Sequence, residues 1–220
     1  MERILVTGST RGIGRAVARR LLGEGATVGL HGRDLDQVRE VADRLSEGSG
    51  RAIPLAADFA DPESAGELGR RFIGESGGID GLVNNAGGGD AVAFRGLKLA
   101  RWQSTMRVNL EAALVASQAA YADMRKRKRG SIVNVASIAA HGPGGWMGAD
   151  YAAAKAGLVS LTRSLALEAA RFSIRVNAVS PGFVETDMTA DIPEANRDNL
   201  RIPLGRMADP DEIAAGVAFL

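Results

Sequence analysis

Six short apolar runs alternate with stretches of helical periodicity along the 220 residues of this chain. The runs are RILVTG, ATVGLHG, AIPLAAD, GLVNNAG, GSIVNVAS and IRVNAVSPG. Runs that are apolar on both faces are typical of parallel strands buried between helices, and strand–helix alternation is typical of a doubly wound sheet. The sequence therefore predicts an α/β fold, a Rossmann-type parallel sheet with helices on both faces, forming a single domain over residues 1–220.

Helical periodicity follows most of these runs. The first helix is expected over Gly14 to Leu22, a long one from about Leu97 to Met124, and another from about Ala149 to Ala170. In doubly wound sheets, ligands bind beyond the carboxyl ends of the strands. The candidate functional residues all follow a predicted strand end: Gly8 to Gly14, Asp58, Asn84 to Gly87, Ser137, and Pro181 to Thr186.

The first strand end carries the stretch VTGSTRGIG, with glycine spacing G-x-x-x-G-x-G. Backbone N–H groups at a helix N-terminus are unsatisfied and carry partial positive charge, so they bind an anion when no side chain blocks its approach. Gly8, Gly12 and Gly14 remove such side chains. The spacing differs from G-x-G-x-x-G, and a turn that merely packs a helix close to a strand is an alternative explanation.

Composition excludes several classes of function. The formal net charge is +1, which gives no bulk attraction to nucleic acid or to a membrane. Cysteine is absent, and His31 and His141 are far apart, so we expect no metal site. The chain opens without a leader segment and has no apolar run near the ~20 residues of a membrane helix, so we expect a cytoplasmic protein.

Acid–base chemistry is indicated by the stretch DYAAAKAG. Tyr151 and Lys155 are four residues apart and share one helical face, and an adjacent ammonium lowers the pKa of a phenol. Ser137 ends the preceding strand, where its hydroxyl can bind a carbonyl oxygen or cap the next turn. Asn109 interrupts an apolar helical pattern, either as a satisfied core group or as the holder of a water chain behind the lysine.

Together these residues resemble the short-chain dehydrogenase/reductase family over nearly the whole chain. TGSTRGIG is similar to its cofactor turn, NNAG to its central strand motif, and PGFVET to its nicotinamide-side loop. The resemblance implies metal-free hydride transfer between NAD(P) and a carbonyl or alcohol. It implies that Ser137 polarises the carbonyl, Tyr151 donates the proton, Lys155 lowers the tyrosine pKa and binds the nicotinamide ribose, and Asn109 anchors the relay water.

The resemblance also implies a set of cofactor contacts. Asp58 and Phe59 would contact adenine, Asn85 to Gly87 the adjacent ribose, and Val184 and Thr186 the carboxamide. The full set of expected cofactor-binding residues is Gly8, Ser9, Thr10, Arg11, Gly12, Ile13, Gly14, Arg33, Asp58, Phe59, Asn85, Ala86, Gly87, Tyr151, Lys155, Pro181, Gly182, Val184 and Thr186.

NADPH is the expected cofactor, with NAD as the weaker alternative. NAD enzymes of this class carry an acidic residue at the end of the second strand, where TVGLHGRD offers Gly32 instead. Arg33 and Arg11 could bind a 2′-phosphate through charge-assisted bonds. The competing interpretation is that Arg33 is solvated and Asp34 binds the ribose.

Two features depart from the family pattern. Fourteen positions separate Ser137 from Tyr151, one more than is usual, so the loop must bulge, and Gly142, Gly144, Gly145 and Gly148 would allow it. The family continues through a further strand beyond the last helix, which begins at Asp209 and Pro210 here. We therefore expect an unprotected sheet edge or an unusual partner at that edge.

Within the family, GFVETDMT and YAAAKAGL most resemble the 3-oxoacyl-acyl-carrier-protein reductases of fatty acid biosynthesis. Sugar, steroid and other secondary-alcohol dehydrogenases are alternatives, as is a regulator that binds a nucleotide without turnover. The substrate would lie between Gly88 and Phe94 and around Met188 to Asn199. A homodimer or homotetramer is expected through the helices that carry Asn109 and Tyr151.

A basic run, MRKRKRG, bears on the acyl-carrier assignment. Five consecutive basic residues, Arg125 to Arg129, lie at a helix end, where cations also offset the helix dipole. They form either a solvated terminus or a docking surface for an acidic carrier protein. Lys128 lies near a basic carrier contact of the reductases, Arg171 would extend the surface, and Phe172 occupies the other contact position.

Overall fold

The computed structural model describes residues 2–46, 49–142, 147–190, 192, 200 and 202–220. Its strands are β1 Arg3–Val6, β2 Thr27–Gly32, β3 Arg51–Ala56, β4 Gly81–Asn84, β5 Gly130–Val135 and β6 Ile174–Val179. All pair in parallel, in the order β3-β2-β1-β4-β5-β6. The predicted doubly wound α/β fold is confirmed.

Seven α-helices connect or follow these strands in the described part of the chain. They are α1 Gly12–Gly23, α2 Leu35–Leu45, α3 Glu63–Ser76, α4 Leu99–Met106, α5 Ala112–Arg127, α6 Ala149–Ala169 and α7 Pro210–Phe219. Short 3₁₀ turns cover Phe94–Gly96, Ile138–Ala140 and Ala170–Phe172.

The sheet is buried on both faces, which explains the uninterrupted apolar runs of the sequence. Successive side chains of a strand point to opposite faces. Ile4 and Val6 of β1 pack with α1, α2 and α7, whereas Leu5 packs with α3 and α5 on the other face. Each strand therefore needs apolar residues at both its odd and its even positions.

The stretch predicted as one helix from Leu97 to Met124 is divided in the structure. One turn of π-helix, Arg107–Glu111, separates α4 from α5, and the buried Asn109 lies within it. A π turn changes the direction in which side chains leave the helix and is frequent at functional sites. The predicted helical stretch is therefore present over 99–127, with a five-residue change of period that the apolar pattern of the sequence does not show.

The last described helix, α7, begins as its sequence indicates. Asp209 caps it in a capping box with Glu212, and Pro210 occupies its first turn. The helix packs beside α1. Among the described strands, β6 pairs only with β5, so β6 has an unpaired side.

The order of the strands places the ligand crevice. The chain leaves β1 toward β2 on one side, whereas β4 lies on the other side of β1. The carboxyl ends of β1 and β4 therefore flank the point where the winding direction reverses, which is where doubly wound sheets bind ligands. Gly8 and Asn85 follow these two ends.

Candidate active site

The glycine turn after β1 leaves the N-terminus of α1 open. Gly8 and Gly12 have φ angles of 63° and 53°, which favour glycine. A Cβ on Gly14 would collide with the Gly8 carbonyl and the Asn85 side chain. Arg11 is the N-cap residue of α1 and makes no side-chain capping bond. The first N–H groups of α1 are thus available for an anion such as a cofactor pyrophosphate.

His31 supports this turn, a role that the sequence analysis missed. The His31 Nδ1 atom accepts the Gly8 N–H at 2.9 Å, and Nε2 lies 3.2 Å from the Ala57 carbonyl. Burial lowers the pKa of His31 to about 4, against weaker opposing effects of Ala57 and Asp58, so the ring is neutral near pH 7. Its imidazole ring therefore links the glycine turn to the end of β3.

The end of β2 holds the residues expected to select the cofactor. Arg33 is exposed. One carboxylate oxygen of Asp34 accepts the N–H groups of Asp36 and Gln37 at 2.9 and 3.1 Å, and so caps α2. Arg11, expected beside Arg33, instead forms an exposed ion pair with Asp187 at 3.3 Å.

Gly32 is closely surrounded. A Cβ added to Gly32 would lie 2.7 Å from the Thr10 Cγ2 atom and 2.9 Å from the Val38 Cγ2 atom. These are distances that a Cβ does not tolerate without movement of its neighbours. A larger residue at the end of the second strand would therefore require Thr10 and Val38 to move.

The residues expected around adenine lie beyond β3. The Asp58 Oδ1 atom accepts the Ala60 N–H at 3.0 Å. The Phe59 ring is buried and stacks on His31 with ring centroids 4.3 Å apart. Phe59 can therefore meet a ligand only through its backbone.

The NNAG segment after β4 is fastened to the glycine turn. The Asn85 amide donates to the carbonyls of Thr7 and Gly8 at 2.9 and 3.0 Å, and the Ala86 N–H donates to Thr7 Oγ1 at 3.0 Å. A Cβ on Gly87 would lie 2.6 Å from Asn109 Oδ1. The segment thus connects the predicted cofactor turn with the predicted catalytic residues.

The segment expected to lie on the nicotinamide side follows β6. The Pro181 carbonyl accepts the Ile138 N–H at 2.9 Å, and Val184 forms an isolated bridge with Ala208. A Cβ on Gly12 would lie 3.2 Å from Thr186 Cγ2. Thr186 therefore lies against the glycine turn, although the two are far apart in the chain.

The predicted catalytic lysine is buried at the first turns of α6. Lys155 donates from Nζ to the Val135 carbonyl at 2.9 Å and has 3% of its surface exposed. Burial lowers its pKa to about 8. Nζ lies 5.6 Å from the centroid of the Tyr151 ring.

The predicted serine and tyrosine meet at the end of β5. Ser137 Oγ accepts the Ala139 N–H at 3.1 Å and so caps the turn that follows, as one of the two interpretations of its sequence proposed. The hydroxyl hydrogen of Ser137 is not used in this bond. Burial raises the pKa of Tyr151, and a hydrogen bond with Ser137 acts in the opposite direction. The lowering of the tyrosine pKa by Lys155 stays a prediction.

Asn109 is a satisfied buried group. Its side-chain amide donates to the carbonyls of Gly88 and Thr105 at 2.9 and 3.0 Å, and its Oδ1 accepts the Gly88 N–H at 3.0 Å. Both amide hydrogens are thereby used. The expected anchoring of a relay water stays a prediction, which would have to use another atom of the residue.

Parts of the expected substrate region lie outside the described residues. This holds for most of the segment between Met188 and Asn199. Gly144 and Gly145, which were expected to allow the loop after Ser137 to bulge, also lie outside the described residues. In the described part of the chain, no group of three or more His, Asp or Glu side chains is placed to hold a metal ion. No helix among the described residues is both long enough and apolar enough to cross a membrane.

Comparison with known proteins agrees with this geometry. Residues 2–197 match the family described as short chain dehydrogenase. The (2S)-[(R)-hydroxy(phenyl)methyl]succinyl-CoA dehydrogenase subunit BbsD of Thauera aromatica is 38% identical over 222 residues, covering 98% of this chain and 87% of that protein. The 3-oxoacyl-[acyl-carrier-protein] reductase FabG of Aquifex aeolicus is 39% identical over 220 residues, covering 98% and 88%.

A solved structure gives the same result. The crystal structure of a protein from Beutenbergia cavernae described as an NAD(P)-dependent gluconate 5-dehydrogenase, with NADP bound at low occupancy, superposes with a TM-score of 0.92. It is 39% identical, over 100% of this chain and 88% of that one. A match of this extent in both sequence and fold shows the family. The protein belongs to the short-chain dehydrogenase family and is an NAD(P)-dependent oxidoreductase.

Proposed function

We propose that this enzyme reduces a ketone with NADPH, using Ser137, Tyr151 and Lys155. The observation that carries this proposal is the convergence of the three side chains at the ends of β5 and α6, beside a glycine turn whose helix N-terminus is open. When bound, NADPH supplies the hydride that reduces the carbonyl carbon. The N-terminus of α1, where Arg11 makes no side-chain capping bond, fits the pyrophosphate of such a ligand.

The protein residues handle the carbonyl oxygen and the proton. Ser137 donates its hydroxyl hydrogen to that oxygen, while its Oγ accepts the Ala139 N–H. Tyr151 donates the proton from Oη, since its raised pKa keeps it protonated before the reaction. Lys155, an ammonium at neutral pH, stabilises the phenolate that forms. A steady-state assay of NADPH oxidation with a panel of small ketones tests this proposal.

The preference for NADPH over NADH is supported by the end of β2. Arg33 is exposed, and Asp34, the alternative ribose acceptor, is engaged by the N–H groups of α2. A guanidinium suits a 2′-phosphate better than a ribose hydroxyl. Arg33→Ala should lower kcat/KM for NADPH about 10- to 100-fold and leave that for NADH nearly unchanged, as expected for a lost charge-assisted contact. Arg39→Ala, which removes an exposed arginine within α2, is the matched control.

A 3-oxoacyl substrate on an acyl carrier protein is the substrate class we favour. It is supported by the similarity to FabG, whereas BbsD and the gluconate dehydrogenase support a different acyl substrate or a sugar. Turnover of a carrier-linked 3-oxoacyl group, compared with a secondary-alcohol panel, separates these alternatives. A nucleotide-binding regulator would bind NADPH and oxidise it with none of them.

The basic run expected to dock the carrier is divided in the structure. Arg127 and Arg129 form ion pairs with Asp80 at 2.6 and 2.9 Å, so they belong to a structural cluster. Arg125 and Arg171 instead lie over the Phe172 ring, 5.9 and 4.9 Å from its centroid. The cationic surface around Phe172 is therefore the better candidate for carrier docking.

The docking proposal is tested with two charge reversals. Arg125→Glu with Arg171→Glu should raise KM for a carrier-linked substrate about 10-fold at low salt, because complementary charge accelerates encounter. A small unlinked ketone should be unaffected. An equal change for both substrates would refute docking at this surface.

Homodimer or homotetramer formation and a cytoplasmic location complete the proposal. Leu99, Leu114 and Leu167 are exposed on α4, α5 and α6, the helices expected to pack against a second copy. Light scattering at micromolar concentration should give a dimer or tetramer.

The lack of cysteine fits a reducing compartment, which cell fractionation can test.

A further inference from the structure

A buried acidic residue precedes the tyrosine of the active site. Asp150 is fully buried in the first turn of α6. Its Oδ2 atom accepts a hydrogen bond from Thr105 Oγ1 at 2.8 Å and one from Arg101 Nε at 3.2 Å, both from α4. Burial alone would raise the pKa of Asp150, but these bonds and the neighbouring Tyr151 N–H outweigh it and lower the pKa. The carboxylate is therefore charged and held from α4.

The same arginine reaches the segment after β4. Arg101 donates from Nη2 to the Asp90 carbonyl at 2.7 Å, while its Nε is bonded to Asp150. The Arg101 guanidinium thus links α6 to the segment 88–90. That segment covers the tyrosine, because a Cβ on Gly89 would lie 3.2 Å from Tyr151 Cδ2.

The segment has a second attachment to the same helical stretch. Asn109 binds both backbone polar groups of Gly88 and also donates to the Thr105 carbonyl. Thr105 in turn donates to Asp150. A closed set of hydrogen bonds therefore joins α4, the π turn, the segment 88–90 and the first turn of α6.

Stability alone is a weak explanation for this arrangement. A buried ion pair loses about as much in desolvation as it gains in attraction, and apolar replacements of similar volume are often as stable. What the pair does supply is geometry, since bonds from Arg101 and Thr105 fix Asp150 and hence the backbone that carries Tyr151. Displacement of a reacting group by about 1 Å costs up to ~100-fold in rate.

We propose that Arg101, Thr105 and Asp150 are positioning residues that hold the Tyr151 turn of α6 against the segment 88–90. The inference rests on the proposed function, in which Tyr151 donates the proton. None of the three is assigned contact with the reacting atoms. They act by keeping the Tyr151 hydroxyl in line with Ser137 and by keeping water from its ring.

The test uses two substitutions at one position. Thr105→Val keeps the shape of the side chain and removes the donor, whereas Thr105→Ser keeps the donor and removes a methyl group. We expect Thr105→Val to lower kcat about 10-fold with the NADPH Kd within about 2-fold, and Thr105→Ser to keep most of the wild-type rate. Asp150→Asn should lower kcat about 100-fold. The solvent isotope effect on kcat should rise as proton transfer becomes slower.

A control variant separates positioning from folding. Asp80→Asn removes a mostly buried aspartate that binds Arg3 and Arg127 at 2.7 and 2.6 Å, at the opposite end of the sheet. It should lower the melting temperature and leave kcat and the solvent isotope effect unchanged. Equal rates for Thr105→Val and Thr105→Ser, or losses that only follow the folded fraction, would overturn the proposal.

An independent readout needs no turnover. The chain has two tyrosines, so in a Tyr121→Phe background the ultraviolet absorbance of phenolate reports Tyr151 alone. Because burial raises the pKa of Tyr151, Thr105→Val should move its titration toward the ordinary value, and Thr105→Ser should not. Unchanged titration in Thr105→Val would refute the positioning role. If the wild type is inactive but Thr105→Val still shows the expected titration shift, the proposed function is refuted and the positioning role is not.

Discussion

Replacing Lys155 by methionine should abolish catalysis and stabilise the protein. The lysine is fully buried, and burial lowers its pKa from 10.5 to about 8. Holding it as an ammonium at pH 7 therefore destabilises the native state by about 3 kcal/mol, at 1.36 kcal/mol for each pKa unit. The methionine variant leaves the Val135 carbonyl without its donor, a loss of ~1 kcal/mol. The net gain is ~2 kcal/mol, or roughly 4–8 °C in Tm for a chain of this length.

The pH dependence identifies the cause. The folded-state pKa lies below the unfolded value, so the unfolded chain binds more protons between about pH 8 and 10.5, and the wild type gains stability as pH rises through that window. At pH 9.5 the destabilisation of the native state by Lys155 has fallen to ~1.5 kcal/mol. The advantage of Lys155→Met should therefore shrink by about 1.5 to 2 kcal/mol between pH 7 and pH 9.5, and the lost hydrogen bond cancels in this comparison.

Urea unfolding at both pH values, at one protein concentration, measures this difference. Lys126→Met, which removes an exposed ammonium at the end of α5, is the matched control and should show no such difference. A Lys155→Met variant that is less stable than the wild type at pH 7, or whose advantage does not change with pH, would refute the reasoning.

Three further outcomes are expected. Tyr151→Phe should lower kcat by at least ~100-fold with the NADPH Kd within a few-fold, measured by NADPH oxidation and fluorescence titration; retention of a tenth of the rate would contradict its role. Gly87→Ala should lower kcat more than NADPH affinity, because the new Cβ would lie 2.6 Å from Asn109 Oδ1 and 3.1 Å from Lys155 Nζ; unchanged kinetics would show that this contact relaxes freely. Between pH 6.5 and about 4 the wild type should lose up to ~3 kcal/mol of stability because buried His31 must become charged, and His31→Asn should not show this loss. Identical acid unfolding curves for the two proteins would exclude this role of His31.

The sheet could be predicted because its signal is local. Each apolar run predicts its own strand, and the short connections leave few ways to order six parallel strands. The positions of Ser137, Tyr151 and Lys155 at strand and helix ends follow from the same pattern. The catalytic roles of these residues could be assigned only from the family resemblance, since a Tyr and a Lys four residues apart are common on helices.

What could not be predicted depends on contacts between distant residues. His31 looked like an isolated histidine because its partners, Gly8 and Ala57, belong to other strand ends. The basic run looked uniform, but Arg127 and Arg129 form ion pairs with Asp80. A sequence shows which residues are charged but not which of them form ion pairs.

The end of β2 limits how the cofactor preference of this enzyme could be redesigned. A carboxylate at position 32 would enter space filled by Thr10 and Val38, and the one at position 34 already caps α2. Freeing Asp34 for a ribose would weaken the helix by ~1 kcal/mol before any contact with NADH was gained. The exposed position of Arg33 is thus where an acidic residue could be introduced without disturbing its neighbours, so a designed NADH-dependent variant would begin with Arg33→Asp rather than with either adjacent residue.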